Sequence, residues 1–191
     1  GGELARHLLD EYQLQDVPVE KTKQGGDHYD PEQRAVRLGP ANHDHNSLTA
    51  VAVAAHEVGH AIQHQRNEPM LALRHRLVKL AQITQQIGAG AMFLLPSVLA
   101  ITRVPFAGIL MALFGLGSMA SATLVHLVTL PVELDASFRK ALPILIDGDY
   151  IQRQDAPAVR RVLRAAAFTY VAGSLASLLN LARWLAFLRR A

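Results

Sequence analysis

The chain has 191 residues, 50% hydrophobic and 18% charged, with a mean hydropathy of +0.15, enough for one domain with a substantial core and apolar for a water-exposed protein. A formal charge of +3 and a pI near 9.5 invite a nucleic-acid reading, but the basic residues gather beside uncharged segments, so no nucleic-acid partner is expected. The absence of cysteine excludes disulfides and thiolate metal sites and fits a reducing compartment.

Glu3–Tyr12 carries Leu4, Leu8 and Leu9 on one side and reads as a short helix. Val17-Pro18-Val19 and Ala35-Val36-Arg37-Leu38 read as short strands, with turns at Gln24-Gly25-Gly26-Asp27 and Asp30-Pro31. Pro40 to Asn46 reads as a loop that leads into a helix over about 47–66, with Asn46 or Ser47 as its cap. Leu48, Val51, Ala52 and Ala55 recur on its apolar face. The same helix contains His56-Glu57-Val58-Gly59-His60. Positions i and i+4 share a helix face, so His56 and His60 can reach one metal ion, and Glu57 stands beside them as a base for a metal-activated water. A mid-helix glycine costs about 1 kcal/mol against alanine, so Gly59 points to the close approach of a strand or substrate.

Residues 81–132 hold a single Lys, Arg, Asp or Glu, Arg103. Ala81–Thr102 (22 residues) and Val104–Val132 (29 residues) each exceed the length a membrane-crossing helix needs, and Arg103-Val104-Pro105 reads as the turn of a transmembrane hairpin. Ala165–Ala182, uncharged for 18 residues and followed by Arg183 and Trp184, reads as a C-terminal membrane helix. Arg74, Arg76, Lys79, Arg139, Lys140, Arg153, Arg160, Arg161 and Arg164 flank these segments on one side. The positive-inside rule makes that side cytoplasmic and the protein a multi-pass cell-membrane protein with the lipid bilayer as a partner. A helix is expected from near Pro131, then a loop at Asp147-Gly148-Asp149 and the final helices. The opening Gly1-Gly2-Glu3 lacks a methionine, which suggests a fragment whose natural start lies upstream.

A catalytic zinc takes three protein ligands and keeps one position open. A third histidine six residues after His60 is excluded, because Gln63 and Arg66 stand where that pattern needs Gly and His. His64 lies another ~6 Å along the helix axis and reads as a surface or supporting residue. Glu133 is the first acid after the long uncharged run and is the expected third ligand. Asp135 points about 200° away on a helix, so it is expected to orient the site or to form a salt bridge. His28 and Tyr29 are candidate oxyanion or substrate-binding groups. His43 and His45 read as structural, and His7, His75 and His126 are given no role.

His56-Glu57-Val58-Gly59-His60, Asp27-His28-Tyr29-Asp30-Pro31, Val36-Arg37-Leu38 and Leu130-Pro131-Val132-Glu133-Leu134-Asp135-Ala136-Ser137 together resemble the YugP-like family of bacterial membrane zinc metallopeptidases. The resemblance spans nearly the whole chain. It implies a zinc peptidase anchored by several membrane helices, with one more before Gly1, and a gluzincin-like catalytic domain. It is similar in plan to HtpX-like peptidases, whose glutamate ligand is followed four residues later by aspartate. Ser137 stands at that position here, so Asp135 or Asp27 is left to support the metal histidines.

The expected fold is therefore a mainly α integral membrane protein with a small β element before the zinc helix. Residues 1–80 and 133–164 would form the catalytic domain, 81–132 the hairpin and 165–191 the last membrane helix. The expected activity is zinc-dependent endopeptidase cleavage of a protein or peptide, with Glu57 as general base. A site-2-type intramembrane protease is one alternative, since Leu145-Ile146-Asp147-Gly148 superficially resembles that class's aspartate motif, but the apolar run before His56 is too short to span. A non-catalytic scaffold stabilised by zinc is the other, and it gives Glu57 no purpose.

Overall fold

Ala5, Leu8 and Leu9 recur at helical spacing and are fully buried on one face of α1 (Gly2–Glu11). The computed structural model describes residues 1–191 except 24–25, 103–112, 114–116, 118–120, 122–123 and 189–191. After α1 come three short strands, β1 (Val19–Lys21), β2 (His28–Asp30) and β3 (Ala35–Leu38). They form one sheet in the order β1-β3-β2, with β1 parallel and β2 antiparallel to β3. Val36 sits opposite Val19 on one side and Tyr29 on the other.

The first strand begins two residues later than the sequence suggests. Pro18 has no N–H to donate, and it joins the sheet only through its carbonyl, which accepts from the Val36 amide at 2.9 Å. The edge strand β2 is not readable in the sequence, because three residues are too few to show an alternation. Arg37 on the central strand reaches Glu20 on β1 at 2.8 Å and also pairs with Asp30 on β2, tying both edges to the centre.

The expected loop after β3 contains a single helical turn, α2 (Pro40–His43), with Pro40 in the first turn where a missing N–H costs nothing. The next helix, α3 (Leu48–Gln65), starts at Ser47, whose hydroxyl accepts from the Ala50 amide at 3.2 Å. Its buried surface is built largely from small residues, among them Ala50, Ala52, Ala54, Ala55, Gly59 and Ala61. Then follow α4 (Pro69–Thr102) and helical backbone over 124–134. That backbone widens into a π-helical segment, Asp135–Ala141, and continues as α5 (Leu142–Asp147). Pro131 therefore lies within a helix and does not start one. The last helix, α6 (Ala156–Leu188), is continuous where several were expected.

The chain divides into two compact units. One comprises residues 1–72 and 130–169, and its core includes Leu8, Leu9, Leu14, Val36, Leu38, Val58, Leu145 and Leu163. The other comprises residues 73–129 and 170–191, where a side chain at Gly173 would meet the His126 ring at 2.9 Å.

The integral membrane architecture expected from the sequence is overturned. Among the described residues no helix is long and apolar enough to cross a membrane, and the multi-pass localisation that rested on such spans falls with it. Freedom from charge, the criterion read in the sequence, does not by itself establish a span, and most of Val104–Val132 lies outside the described residues. The Arg103-Val104-Pro105 turn lies outside the described residues.

What positions the functional groups is the packing of α3 against the π segment. A Cβ at Gly59 would lie 2.9 Å from the Ala136 carbonyl oxygen, inside any tolerated contact. The close neighbour of Gly59 is thus a second helical segment, not a strand or a substrate. Gly59→Ala should gain about 1 kcal/mol of helix propensity but force backbone apart at a cost on the order of 1–3 kcal/mol. A net fall in the urea midpoint is expected, and a midpoint at or above that of the unsubstituted chain would contradict this packing.

Candidate metal centre

His56 and His60 lie one turn apart on α3 and are both buried, with ring centroids 4.7 Å apart and planes crossing at 80°. Glu133 reaches them from the helical stretch before the π segment and is 2% exposed. Its Oε2 lies 3.1 Å from His56 Nε2 and 3.4 Å from His60 Nε2, so both imidazoles face one carboxylate oxygen. A donor atom from each of the three residues falls within 4.8 Å of the others.

The far nitrogens of both rings are also engaged. His56 Nδ1 lies 3.1 Å from the Ser137 hydroxyl, so Glu133 and Ser137, four residues apart, bracket a single ring. His60 Nδ1 lies 2.8 Å from Gln63 Oε1. The Gln63 amide nitrogen donates to the Val132 carbonyl at 2.9 Å and to Asp135 Oδ2 at 2.8 Å. Asp135 pairs in turn with the buried Lys140, which also meets Glu68 at 2.8 Å. Burial alone would raise the Asp135 carboxyl, but the Lys140 ammonium and the Gln63 amide outweigh it and hold its pKa below the ordinary value.

The chemistry of this donor set fits zinc. Two imidazole nitrogens and a carboxylate oxygen are a catalytic zinc's usual three ligands, and each ring's second nitrogen is anchored as a metal-bound histidine requires. Glu57 follows His56 directly, is 7% exposed, and makes no hydrogen bond or ion pair among the described residues. A buried carboxylate without a protein partner is costly to keep.

The remaining candidates are elsewhere. His28 is exposed, with Nδ1 2.9 Å from the Gly26 carbonyl. Tyr29 is half-buried and its hydroxyl lies 2.8 Å from His64 Nδ1, one helical turn beyond His60. Asp27 accepts from the Gly39 amide and the Asn42 side chain at 2.8 Å each, which commits it to a loop clasp. Asp147 sits exposed at the end of α5, lining a cavity of about 210 Å³ with Arg66, Arg139 and Tyr150. The groups that sequence reasoning overlooked are Gln63 and Lys140, and Gln63 carried a readable signal in lying three residues from His60 on the same helix face.

The family described as "Putative neutral zinc metallopeptidase" matches residues 1–189. This chain belongs to that family. It is 39% identical over 185 residues to the protein described as "Putative membrane protease YugP" from Bacillus subtilis (strain 168), an alignment covering 96% of this chain and 78% of that protein. No solved structure matches the chain.

His64 supplies a pH test of the wall beside the cluster. Its burial, reinforced by the charge of Arg34, lowers its pKa below 6.5, so the unfolded chain takes up a proton first as pH falls. The stability this group contributes is complete above pH 6.5 and is lost as pH drops through its folded value. The thermal midpoint should therefore decline on going from about pH 7 to pH 5, and His64→Gln should flatten part of that decline. Identical pH profiles for the two chains would contradict the assignment.

Proposed function

We propose that this protein is a zinc-dependent endopeptidase in which His56, His60 and Glu133 hold the metal and Glu57 is the general base. The observation that carries the reading is the convergence of both imidazole Nε2 atoms on Glu133 Oε2, with the buried Glu57 carboxylate, unpartnered among the described residues, on the adjoining residue. A bound zinc would supply Lewis acidity, bringing the pKa of a coordinated water from 15.7 toward ~7 and polarising a scissile carbonyl.

Glu57 takes the proton of the attacking water and delivers it to the departing amine, which keeps the leaving group neutral as the C–N bond breaks. Its freedom from other partners suits that shuttle, because no ion pair must be broken before it accepts. A donor to the developing oxyanion comes best from Tyr29. That residue is tethered through His64 to the same helix as the metal ligands, whereas His28 turns to solvent. The substrate class is a protein or peptide chain, consistent with the family's description.

Glu57→Gln should lower peptide hydrolysis by about 10²–10⁴-fold while leaving zinc stoichiometry at one. Glu133→Ala should lose zinc, and Asp147→Ala should retain both zinc and turnover. A chelator should stop casein cleavage, and added zinc should restore it. Undiminished turnover by Glu57→Gln would remove the enzyme reading, and tight zinc binding by Glu133→Ala would remove the ligand set.

A further inference from the structure

We propose that Gln63 is the positioning residue of the metal centre: a single buried amide that fixes the His60 ring and the Glu133 segment relative to each other. The inference rests on the zinc reading above and adds to it a residue that neither touches the metal nor takes part in the proton transfers.

The orientation of the Gln63 amide is set by its partners. Val132 offers a carbonyl and Asp135 a carboxylate, both acceptors only, and each lies within 2.9 Å of the same Gln63 atom. That atom must be the NH₂ nitrogen, so the oxygen faces His60. An amide oxygen can only accept, and His60 Nδ1 at 2.8 Å must carry the hydrogen. The Nε2 lone pair is thereby left on the side of Glu133, the tautomer that a metal needs. The same side chain thus selects the tautomer of one ligand and grips the backbone one residue before another.

The grip is stiff because its central amide is buried. Gln63 is 1% exposed, and Asp135 is held in turn by Lys140, itself 7% exposed and anchored to Glu68 just beyond the end of α3. The chain of contacts runs from α3 to the π segment and back. It restrains the gap across which His60 and Glu133 face each other. A spacing error there would be felt directly, since zinc requires its ligands near 2.0–2.2 Å.

The test uses the full chain and reads metal binding, not turnover. Zinc affinity is measured by competition with a chelator of known strength, and Co²⁺ absorption reports the ligand geometry. Gln63→Met, of similar shape, should weaken zinc by about 10- to 100-fold and alter the Co²⁺ bands, the range usual for partners of metal histidines. Gln63→Glu keeps the acceptor for His60 but loses both donors and sets a negative charge against Asp135, so it too should bind zinc weakly. Adding Asp135→Asn to Gln63→Glu restores a donor between the two positions and should recover much of the loss. A role confined to general packing would lower the melting temperature of these variants without this pattern of loss and recovery. Wild-type affinity in a folded Gln63→Met overturns the proposal. Should Gln63→Met fail to fold, equal affinities for Gln63→Glu and the double variant overturn it. A wild-type chain that holds no zinc removes the functional reading as well, whereas a zinc-binding wild type matched by its variants removes this inference alone.

Discussion

The contact between Gly59 and the Ala136 carbonyl is the constraint from which the site follows. His56 and Glu133 are 77 residues apart in sequence, so no local preference can bring them together. Only the packing of two helical segments can do so, and a 2.9 Å limit at Gly59 fixes how closely they pack. The alanines of α3 serve the same end, because small side chains let neighbouring backbone come near while keeping helix propensity high. The π segment begins two residues after Glu133 and carries Ala136 and Ser137, the first meeting Gly59 and the second meeting His56. Widened helical turns of this kind are frequent at functional sites.

Packing this tight encloses an unusual load of polar groups. His56, Glu57, His60, Gln63, Glu133, Ser137 and Lys140 are all buried in or around one junction. Buried polar atoms are tolerable when hydrogen-bonded, and here the Nδ1 of each ring, each amide atom of Gln63 and the Lys140 ammonium has a partner. The carboxylates of Glu57, Glu68, Glu133 and Asp135 gather at this junction with the ammonium of Lys140, and a divalent ion held there would offset part of their negative charge.

How legible this was in the sequence depended on the range of each interaction. The pair His56 and His60 follows from helix geometry alone, and so does the reach of Ser47 to the first turn of α3. Glu133 was singled out because an acid after a long uncharged run needs a reason to exist, and the structure places it beside both histidines. What buries it is its packing against α3. What could not be read were features that depend on three-dimensional neighbours. The strand β2 exists because β3 lies beside it, and Gln63 matters through a backbone carbonyl 69 residues away. Position 63 entered the sequence argument only as the place where a further ligand motif was missing. The membrane spans were the reverse case, a compositional signal taken further than the described helices support.

The partners of the two imidazoles give this centre its own character. A resemblance to HtpX-like peptidases leads one to expect an aspartate beside the histidines, and Ser137 stands in that place, 3.1 Å from His56. His60 likewise meets the neutral oxygen of Gln63. A carboxylate hydrogen-bonded to a metal-bound imidazole pushes electron density into the ring and makes it a stronger donor. A hydroxyl and an amide do so less, and would leave more Lewis acidity on an ion held there. The negative charge is not lost from the junction but moved one hydrogen bond outward, to Asp135, where Lys140 partly neutralises it. The arrangement keeps the rings firmly oriented while weakening their donation, and orientation is what Gly59, Gln63 and the π segment all supply.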